Sequence, residues 1–544
     1  MRTEFRFSLV VGWAVVIAFV LAPATSAASP AGSVYESATV GTAAPSSGPS
    51  LGSHLAPPAP AHGVRRIPRP ISAAAPATGS PQATPLPLSE PTALLASFNG
   101  VSSRDSALTN FGQEFEPPDQ GLCVGNGFVV EMVNSAYTVY RPDGTVLAGP
   151  FNVNGPFNEG LNEFTSDPRC YFDPTTHTWF ATILSLNPEF TASSLDVAVN
   201  ASGDPTKPWS TYRIDTTGLG GKSGPKHPGC PCFGDQPTLG IDSHNIYVTT
   251  NEFSILGPQF YGAQIYAIAK KDLVSLSPTL HFAHFGNLSI GGAEAASVQP
   301  ALSTGTPSAE FFLSSLDPTG TFDQRIGVWA MTNGAAVASG GKPTLSSLVL
   351  GAESYGVPPG AEQKGASSLL DSGDDRMQQV QYIGGSVWGE LDTALTIPND
   401  PAQRAGAAWF QVHPVLANGV IGAAQIKRQG YVAVGGDYVL YPALQATSTG
   451  AAAMVMTVSG RTHFPSAAYA ALAPGATSFG PVGIVAPGST KYDPEAERWG
   501  DYSWAVLDPT GSSVWLATEY VPPKSSQTAD GLRDWGTRVL DVGN

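Results

Sequence analysis

GDQPTLGIDSHNIYVTTNEF, residues 234–253, and GDYSWAVLDPTGSSVWLATEY, residues 500–520, share one layout. Each opens on Gly-Asp, crosses an apolar run, turns at a second Asp and leaves through another apolar run that ends beside an acid. The phrase recurs along the chain. Aligned on its first acid, it reads PPDQGLCVGNGFVVEMVN (Asp119), SDPRCYFDPTTHTWFATIL (Asp167), the stretch above (Asp235), DDRMQQVQYIGGSVWGELD (Asp375) and the closing copy (Asp501). Two weaker copies fill the gaps, VQPALSTGTPSAEFFLSSL near Gln299 and LYPALQATSTGAAAMVMTVSG near Tyr441.

Each copy has the pattern strand, turn, strand. Short apolar or alternating runs flank DPTT, DSHN, YIGG or DPTGS, and Asp, Pro and Gly supply the turn geometry. A third strand-like run follows the copies, as in AYTVYR from Ala136, GAQIYAI from Gly262 and WGTRVLDV from Trp535. Small sheets repeated at intervals of tens of residues predict an all-β fold, a β-propeller, in which radial repetition shortens the exposed edges. Seven copies predict seven blades, with six as the alternative; a pair of β-sandwiches accounts less well for so many matching copies. The last copy ends just after its third strand, while ALLASFNGV, residues 93–101, precedes the first hairpin with no sheet of its own. It is expected to close the ring as the outer strand of the last blade.

The rest of the chain fits an exported protein. Arg2 and Arg6, an apolar run and small residues at Ala24–Ala28 read as a secretory signal peptide over 1–28, with an uncleaved membrane anchor as the alternative. Residues 29–93, rich in Pro, Ala and Ser, are expected to be a disordered tether, because so few bulky apolar side chains cannot offset ordering entropy. The propeller then occupies 94–544. Composition agrees: 60 Gly, 48 Pro and 13% charged residues in 544 describe a turn-rich chain. A formal net charge of −16 argues against nucleic acid or an anionic membrane as partner. No membrane span is expected in the mature chain, which reads as a monomer. Cys123, Cys170, Cys230 and Cys232 allow two disulfides, and Cys123 with Cys170, in similar places of adjacent repeats, is one plausible pair.

A hairpin returns the chain to the end where it began, so the acid opening each first strand and the residue closing the second share one rim. This sets Asp119 near Asn134, Asp235 near Asn251 and Glu252, Asp375 near Asp392, and Asp501 near Glu519, with Asp167 as a further acid. One reading is structural: each Asp caps a strand and locks the fold. The other is an oxygen-lined site suited to Ca²⁺ or to sugar hydroxyls. Arg169, Arg376 and Arg498 stand close to Asp167, Asp375 and Asp501, so the rim offers either Asp–Arg locks or planar cations for a carboxylate-bearing sugar. Tyr502, Trp504, Trp388 and Phe253 are the aromatics expected beside a glycan, and burying them would count against that reading.

Other patterns carry less. GLGGKS at Gly218–Ser223 lacks the leading Gly of a phosphate loop, and HPGCPC, with His227, Cys230 and Cys232, has no second ligand pair for zinc. HExxH and GxSxG are absent, and Asn200 and Asn287 lie in N-x-S sequons.

The ordered series PPDQGLCVGNGFVVEMVN, SDPRCYFDPTTHTWFATIL, FGDQPTLGIDSHNIYVTTNEF and ERWGDYSWAVLDPTGSSVWLATEY, spanning Ser97 to Tyr520, resembles a family of exported bacterial β-propellers loosely described as sialidase-like or BNR-repeat-like. The resemblance implies the fold and an extracellular setting; the family has no settled activity. Asp boxes of the form S-x-D-x-G-x-x-W are missing, and the sialidase Arg-Ile-Pro signature matches only Arg66, Ile67 and Pro68 in the tether, so no catalytic residue is carried over. The leading functional expectation is a secreted or cell-surface binding module for glycans or surface polymer. A glycoside hydrolase or lyase acting at the same rim is the alternative, and a protein-interaction scaffold the third reading.

Overall fold

The computed structural model describes residues 39–43, 80–112, 115–161, 163–220, 226–227, 229–316, 322–492, 498–523 and 535–543. The signal peptide over 1–28 and most of the tether lie outside them.

The chain is a β-propeller built of successive antiparallel units, each opened by one of the repeated hairpins, whose ladders join into one 13-stranded, one 5-stranded, three 4-stranded and one 2-stranded sheet. The first comprises Gly121–Gly125, Phe128–Met132, Ala136–Tyr140 and Val146–Asn152, the second Phe164–Asp173, Thr178–Leu186, Ser193–Asn200 and Ser210–Asp215. The third comprises Cys232–Ile241, Asn245–Ser254, Phe260–Ala269 and Leu280–Phe285, the fourth Gln299–Ser303, Glu310–Ser315, Asp323–Thr332 and Thr344–Tyr355. The fifth comprises Met377–Ile383, Ser386–Thr396, Gln403–Ala417 and Val420–Val432, the sixth Asp437–Ala446, Ala452–Gly460, Ser466–Leu472 and Val482–Ala486. The seventh takes Trp504–Leu507, Ser513–Tyr520 and Gly536–Gly543 from the end of the chain, and Leu94–Ser102 pairs antiparallel with Gly536–Gly543.

First strands of neighbouring units run parallel: Ile241 stands beside Leu302, and Ala301, Leu302 and Ser303 beside Val380, Gln381 and Tyr382. The first strand of each of these hairpins is therefore the innermost. Gly121 shows how tightly inner strands approach, since a Cβ there would lie 2.8 Å from the Pro168 carbonyl oxygen. The core fills the wedges between units. Leu122, Val124, Tyr212, Ile241, Trp504 and Trp515 belong to one buried cluster, which joins the seventh unit to the first three. Each such Val or Leu contributes about 1.5–3 kcal/mol on burial.

The repeated phrase also builds an irregularity into the inner strands. Asp167, Gln236 and Tyr441 have φ of 58°, 50° and 49°, each precedes a proline, and the ladder shifts register between Ser166 and Arg169, Asp235 and Thr238, and Leu440 and Ala443. Proline disfavours the right-handed helical conformation in the residue before it, and the bulge turns the strand into the ring. This corrects the alignment on acids: the counterpart of Asp167 is Gln236, and Asp235 stands one position earlier.

Part of the expected tether is built into the fold. Ala83 and Leu86 donate backbone N–H groups to the carbonyls of Thr396 and Ala433, at 2.9 and 2.8 Å, and Leu88 runs beside Val482. The Thr39–Ala43 backbone pairs with Leu280–Phe285. Disulfides join Cys123 to Cys170, between the first two inner strands, and Cys230 to Cys232. No helix among the described residues is long and apolar enough to cross a membrane.

Candidate functional site

Asp119, Asp167 and Asp501 open the inner strands of units one, two and seven, and a carboxylate oxygen from each lies within 4.8 Å of the others. All three are nearly buried, at 2%, 5% and 7% exposure. Asn134, which closes the second strand of unit one, holds two of them. Its Nδ2 donates to Asp119 Oδ2 at 2.7 Å, and its Oδ1 accepts the backbone N–H of Asp167 at 2.7 Å.

Two arginines stand in the cluster. Arg498 forms an ion pair with Asp501, as an Asp–Arg lock requires. Arg169 does not pair with Asp167 in that way. It is fully buried, its guanidinium carbon lies 3.0 Å from the centre of the Tyr502 ring and 4.6 Å from that of Trp504, and none of its guanidinium nitrogens has a hydrogen-bond partner among the described residues. Planar stacking suits Arg where Lys would fail. The Tyr502 hydroxyl donates to Asp167 Oδ1 at 3.3 Å.

Crowding like charges out of water sets the protonation. Burial, then the charges of Asp501 and Asp167, pushes the Asp119 carboxyl well above its ordinary range. Glu519 is pushed up by burial and by Asp119, while burial lowers Arg169. The cluster thus holds a proton and two guanidinium groups among its acids. Asp119 Oδ1 has no hydrogen-bond partner among the described residues.

The rest of the predicted rim has separate contacts. Asp235 faces Asn251 across the third hairpin, with Gly234 opposite Glu252. The Asn251 amide accepts the backbone N–H of Ser297 at 2.8 Å and donates to its hydroxyl at 2.7 Å, so it grips the fourth unit. Burial pushes the Glu252 carboxyl up to about 8. Arg376 pairs with Asp374 rather than Asp375, and donates to Gln236 of the third unit. Asp375 is buried, and Asp392 accepts the backbone N–H of Tyr441 at 2.9 Å. Asn134, Asn251 and Asp392 thus each hold a left-handed residue of the next unit, Asp167, Ser297 or Tyr441.

Three of the four aromatics expected beside a glycan are buried. Trp388 stacks on Trp409, and Tyr502 and Trp504 cover Arg169; Phe253 is half-buried against Phe233 and Phe260. Recognition at this mouth would therefore be polar.

The donor set fits metals poorly. Ca²⁺ takes six to eight oxygens, whereas two guanidinium groups already stand among the three aspartates. His227, Cys230 and Cys232 lie together, but the disulfide removes both thiolates. Asn200, in the first sequon, is buried and donates to the carbonyls of Asp204 and Lys207 at 2.9 and 3.0 Å, and Asn287 in the second contacts His227. GLGGKS lies partly outside the described residues.

No family model matches the chain, and no curated protein matches it. Among solved structures it is similar to an alpha-L-arabinofuranosidase of Fusarium graminearum, at 10% identity and a TM-score of 0.35 over 82% of this chain and 98% of that one. Phage phi92 endosialidase is matched at 10% identity and a TM-score of 0.33, over 78% of this chain and 68% of that one. A protein of unknown function from Dyadobacter fermentans is matched at 12% identity and a TM-score of 0.30, over 82% and 98%.

Proposed function

We propose that the chain is a secreted or cell-surface binding module for a hydroxyl-rich glycan or surface polymer. In this reading the four-stranded units are seven blades of one ring closed by Leu94–Ser102, carried as a monomer behind a signal peptide over 1–28. The ligand meets the inner-strand mouth at Asp119, Asp167, Arg498, Asp501, Tyr502 and Glu519. One observation carries this: acids from three repeats converge beside Arg169, and both Asp119 Oδ1 and the Arg169 guanidinium are left without hydrogen-bond partners among the described residues. Buried polar atoms of this kind are unfavourable unless water or a ligand satisfies them. A cluster that mixes a protonated carboxyl, carboxylates and guanidinium groups both donates and accepts, as sugar hydroxyls require. Asp235, Asn251, Glu252, Asp375 and Arg376 then serve the fold.

A second reading, glycoside hydrolysis, has its own support. A carboxyl held protonated beside two carboxylates supplies the acid and base partners that such chemistry uses.

The test is a glycan and polysaccharide screen of the mature protein, repeated with Asp119→Asn, Asp501→Asn and Asp235→Ala. Binding should fall at least tenfold in the first two variants and persist in the third. Binding unchanged in both Asp→Asn variants would overturn the reading, and release of reducing sugar that both variants abolish would convert it to catalysis.

A further inference from the structure

The turns that close the inner hairpins gather at the opposite end from the acidic cluster. Asp173 ends the inner strand of unit two and Asp167 lies six residues earlier in it, roughly 20 Å away along the strand. At the turn end is a cavity of about 340 Å³, walled by the turns of units two, three, four and seven. That volume falls within the range of small-ligand pockets.

Its charges are unequal, one lysine among three carboxylates. Lys270, buried in the wall, places Nζ 3.1 Å from Asp173 Oδ2 and donates to the Asp242 carbonyl at 2.6 Å. Asp173 accepts the N–H of Thr175 at 3.0 Å and the Thr176 hydroxyl at 2.8 Å, Asp242 the N–H groups of His244 and Asn245 at 2.7 and 2.8 Å and the Tyr247 hydroxyl at 2.9 Å, and Asp508 the N–H and hydroxyl of Thr510 at 2.9 and 2.6 Å and the Trp515 indole at 3.2 Å. The remaining lone pairs and three negative charges disfavour an anion. The hydroxyls are the available donors: those of Tyr171, Thr175, Ser243 and Thr306 belong to lining residues, the last three at exposed turn positions. Phe172 and Ile241 form a buried apolar floor, and Pro174 and Pro509 stand exposed at its edge. An apolar floor beneath a ring of hydroxyls and acceptors matches the two sides of a sugar ring, C–H faces and equatorial hydroxyls.

We propose that this cavity is a second ligand site, independent of the acidic mouth, and that it takes an uncharged mono- or disaccharide. Recognition runs through the hydroxyls of Tyr171, Thr175, Ser243 and Thr306 and the spare lone pairs of Asp173, Asp242 and Asp508.

The experiment is saturation-transfer NMR and calorimetry on the mature protein with glucose, galactose, xylose, maltose and glucuronate as probes. At least one neutral sugar should bind at millimolar concentration, with glucuronate at least fivefold weaker than glucose. Ser243→Trp and Thr306→Trp, at exposed turn positions, fill the cavity and should reduce binding at least tenfold with an unchanged melting temperature. Tyr171→Phe, which removes only a hydroxyl, should weaken it severalfold, and Asp501→Asn should leave it intact. The proposal is overturned if no neutral probe binds, if glucuronate binds best, or if binding survives the tryptophans. Loss in Asp501→Asn with retention in Ser243→Trp would also overturn it, by placing the sugar at the acidic mouth.

Discussion

The side-chain oxygen of Asn134 accepts the backbone N–H of Asp167 at 2.7 Å, linking the end of one hairpin to the start of the next. Asn251 does the same for Ser297, and Asp392 for Tyr441. The acceptor meets a residue whose left-handed backbone turns its N–H out of the ladder, so the device satisfies a buried donor that the bulge exposes. Asn134→Ala leaves that donor and Asp119 unpaired, and should cost about 2–4 kcal/mol. Asn251→Ala should cost about 1–3 kcal/mol. Urea unfolding of both variants checks this, and two neutral substitutions would remove the locking role.

Arg169 answers to a different balance. Its buried guanidinium, stacked on Tyr502, feels the charges of Asp167, Asp119 and Asp501, while Arg498 pairs with Asp501. Arg169→Met keeps the volume and removes the charge, leaving buried carboxylates facing one another. The expected loss is about 3–5 kcal/mol, larger at pH 8 than at pH 5 because more of the acids are then ionised. Arg169→Lys should recover only part of it, since an ammonium cannot stack as a plane. A methionine variant as stable as the parent at both pH values would show that the charge is dispensable.

What the sequence made legible was local. The repeat exposes each hairpin, because alternating runs, a turn and a return all lie within some twenty adjacent residues, and ALLASFNGV stands out for lacking a partner. The pairing of Asp119, Asp167 and Asp501 follows from equivalent positions in such hairpins. The slip at Asp235 arose because an acid was aligned where the fold instead repeats a left-handed residue before proline, a backbone property that Asp167, Gln236 and Tyr441 share without sharing chemistry. The stacking of Arg169, placed at the rim by its closeness to Asp167, escaped for another reason. Its neighbour in sequence is Asp167, but its stacking partner is Tyr502, which stands 335 positions from Asp167 and is brought near only by the fold. The turn-end cavity likewise draws on four separate units, and none of its hydroxyls is unusual in its own hairpin.

Buried carboxyls give stability a particular dependence on pH. Burial raises Glu131 from 4.5 to about 7 and Glu252 from 4.5 to about 8. A folded pKa above the unfolded one means the folded state holds the proton more tightly, so this stability is full below about pH 4.5 and is lost as pH rises toward 7 and 8. His284 works against it at the acid end. Burial lowers it from 6.5 to about 3, so the unfolded chain takes up its proton first and stability falls as pH drops below 6.5. Glu252→Gln removes one alkaline contribution, worth a few kcal/mol. Its melting temperature should decline less than the parent's between about pH 4.5 and 8. Parallel curves in differential scanning calorimetry would contradict the assignment.

The proposed closure of the ring by Leu94–Ser102 can be tested by removing that strand. Leu94–Ser102 covers the edge of Gly536–Gly543, and side chains reinforce the pairing: Asn99 Oδ1 accepts from Tyr520 Oη at 2.6 Å and Arg538 Nη1 at 2.7 Å, and Ser97 Oγ accepts from Arg538 Nε at 2.9 Å. Without it, that strand presents a row of unpaired backbone groups, which is an aggregation template. A chain beginning at Ser80 keeps this strand and the Ala83 and Leu86 contacts, and should remain a soluble monomer with one cooperative unfolding transition. A chain beginning at Ser103 should aggregate or lose that transition. Adding the nine-residue peptide LLASFNGVS in trans should restore it, because the missing piece is a strand and not a folding signal. Size-exclusion chromatography separates these outcomes, and a soluble, cooperatively folded chain beginning at Ser103 would show that the ring does not depend on this strand for closure.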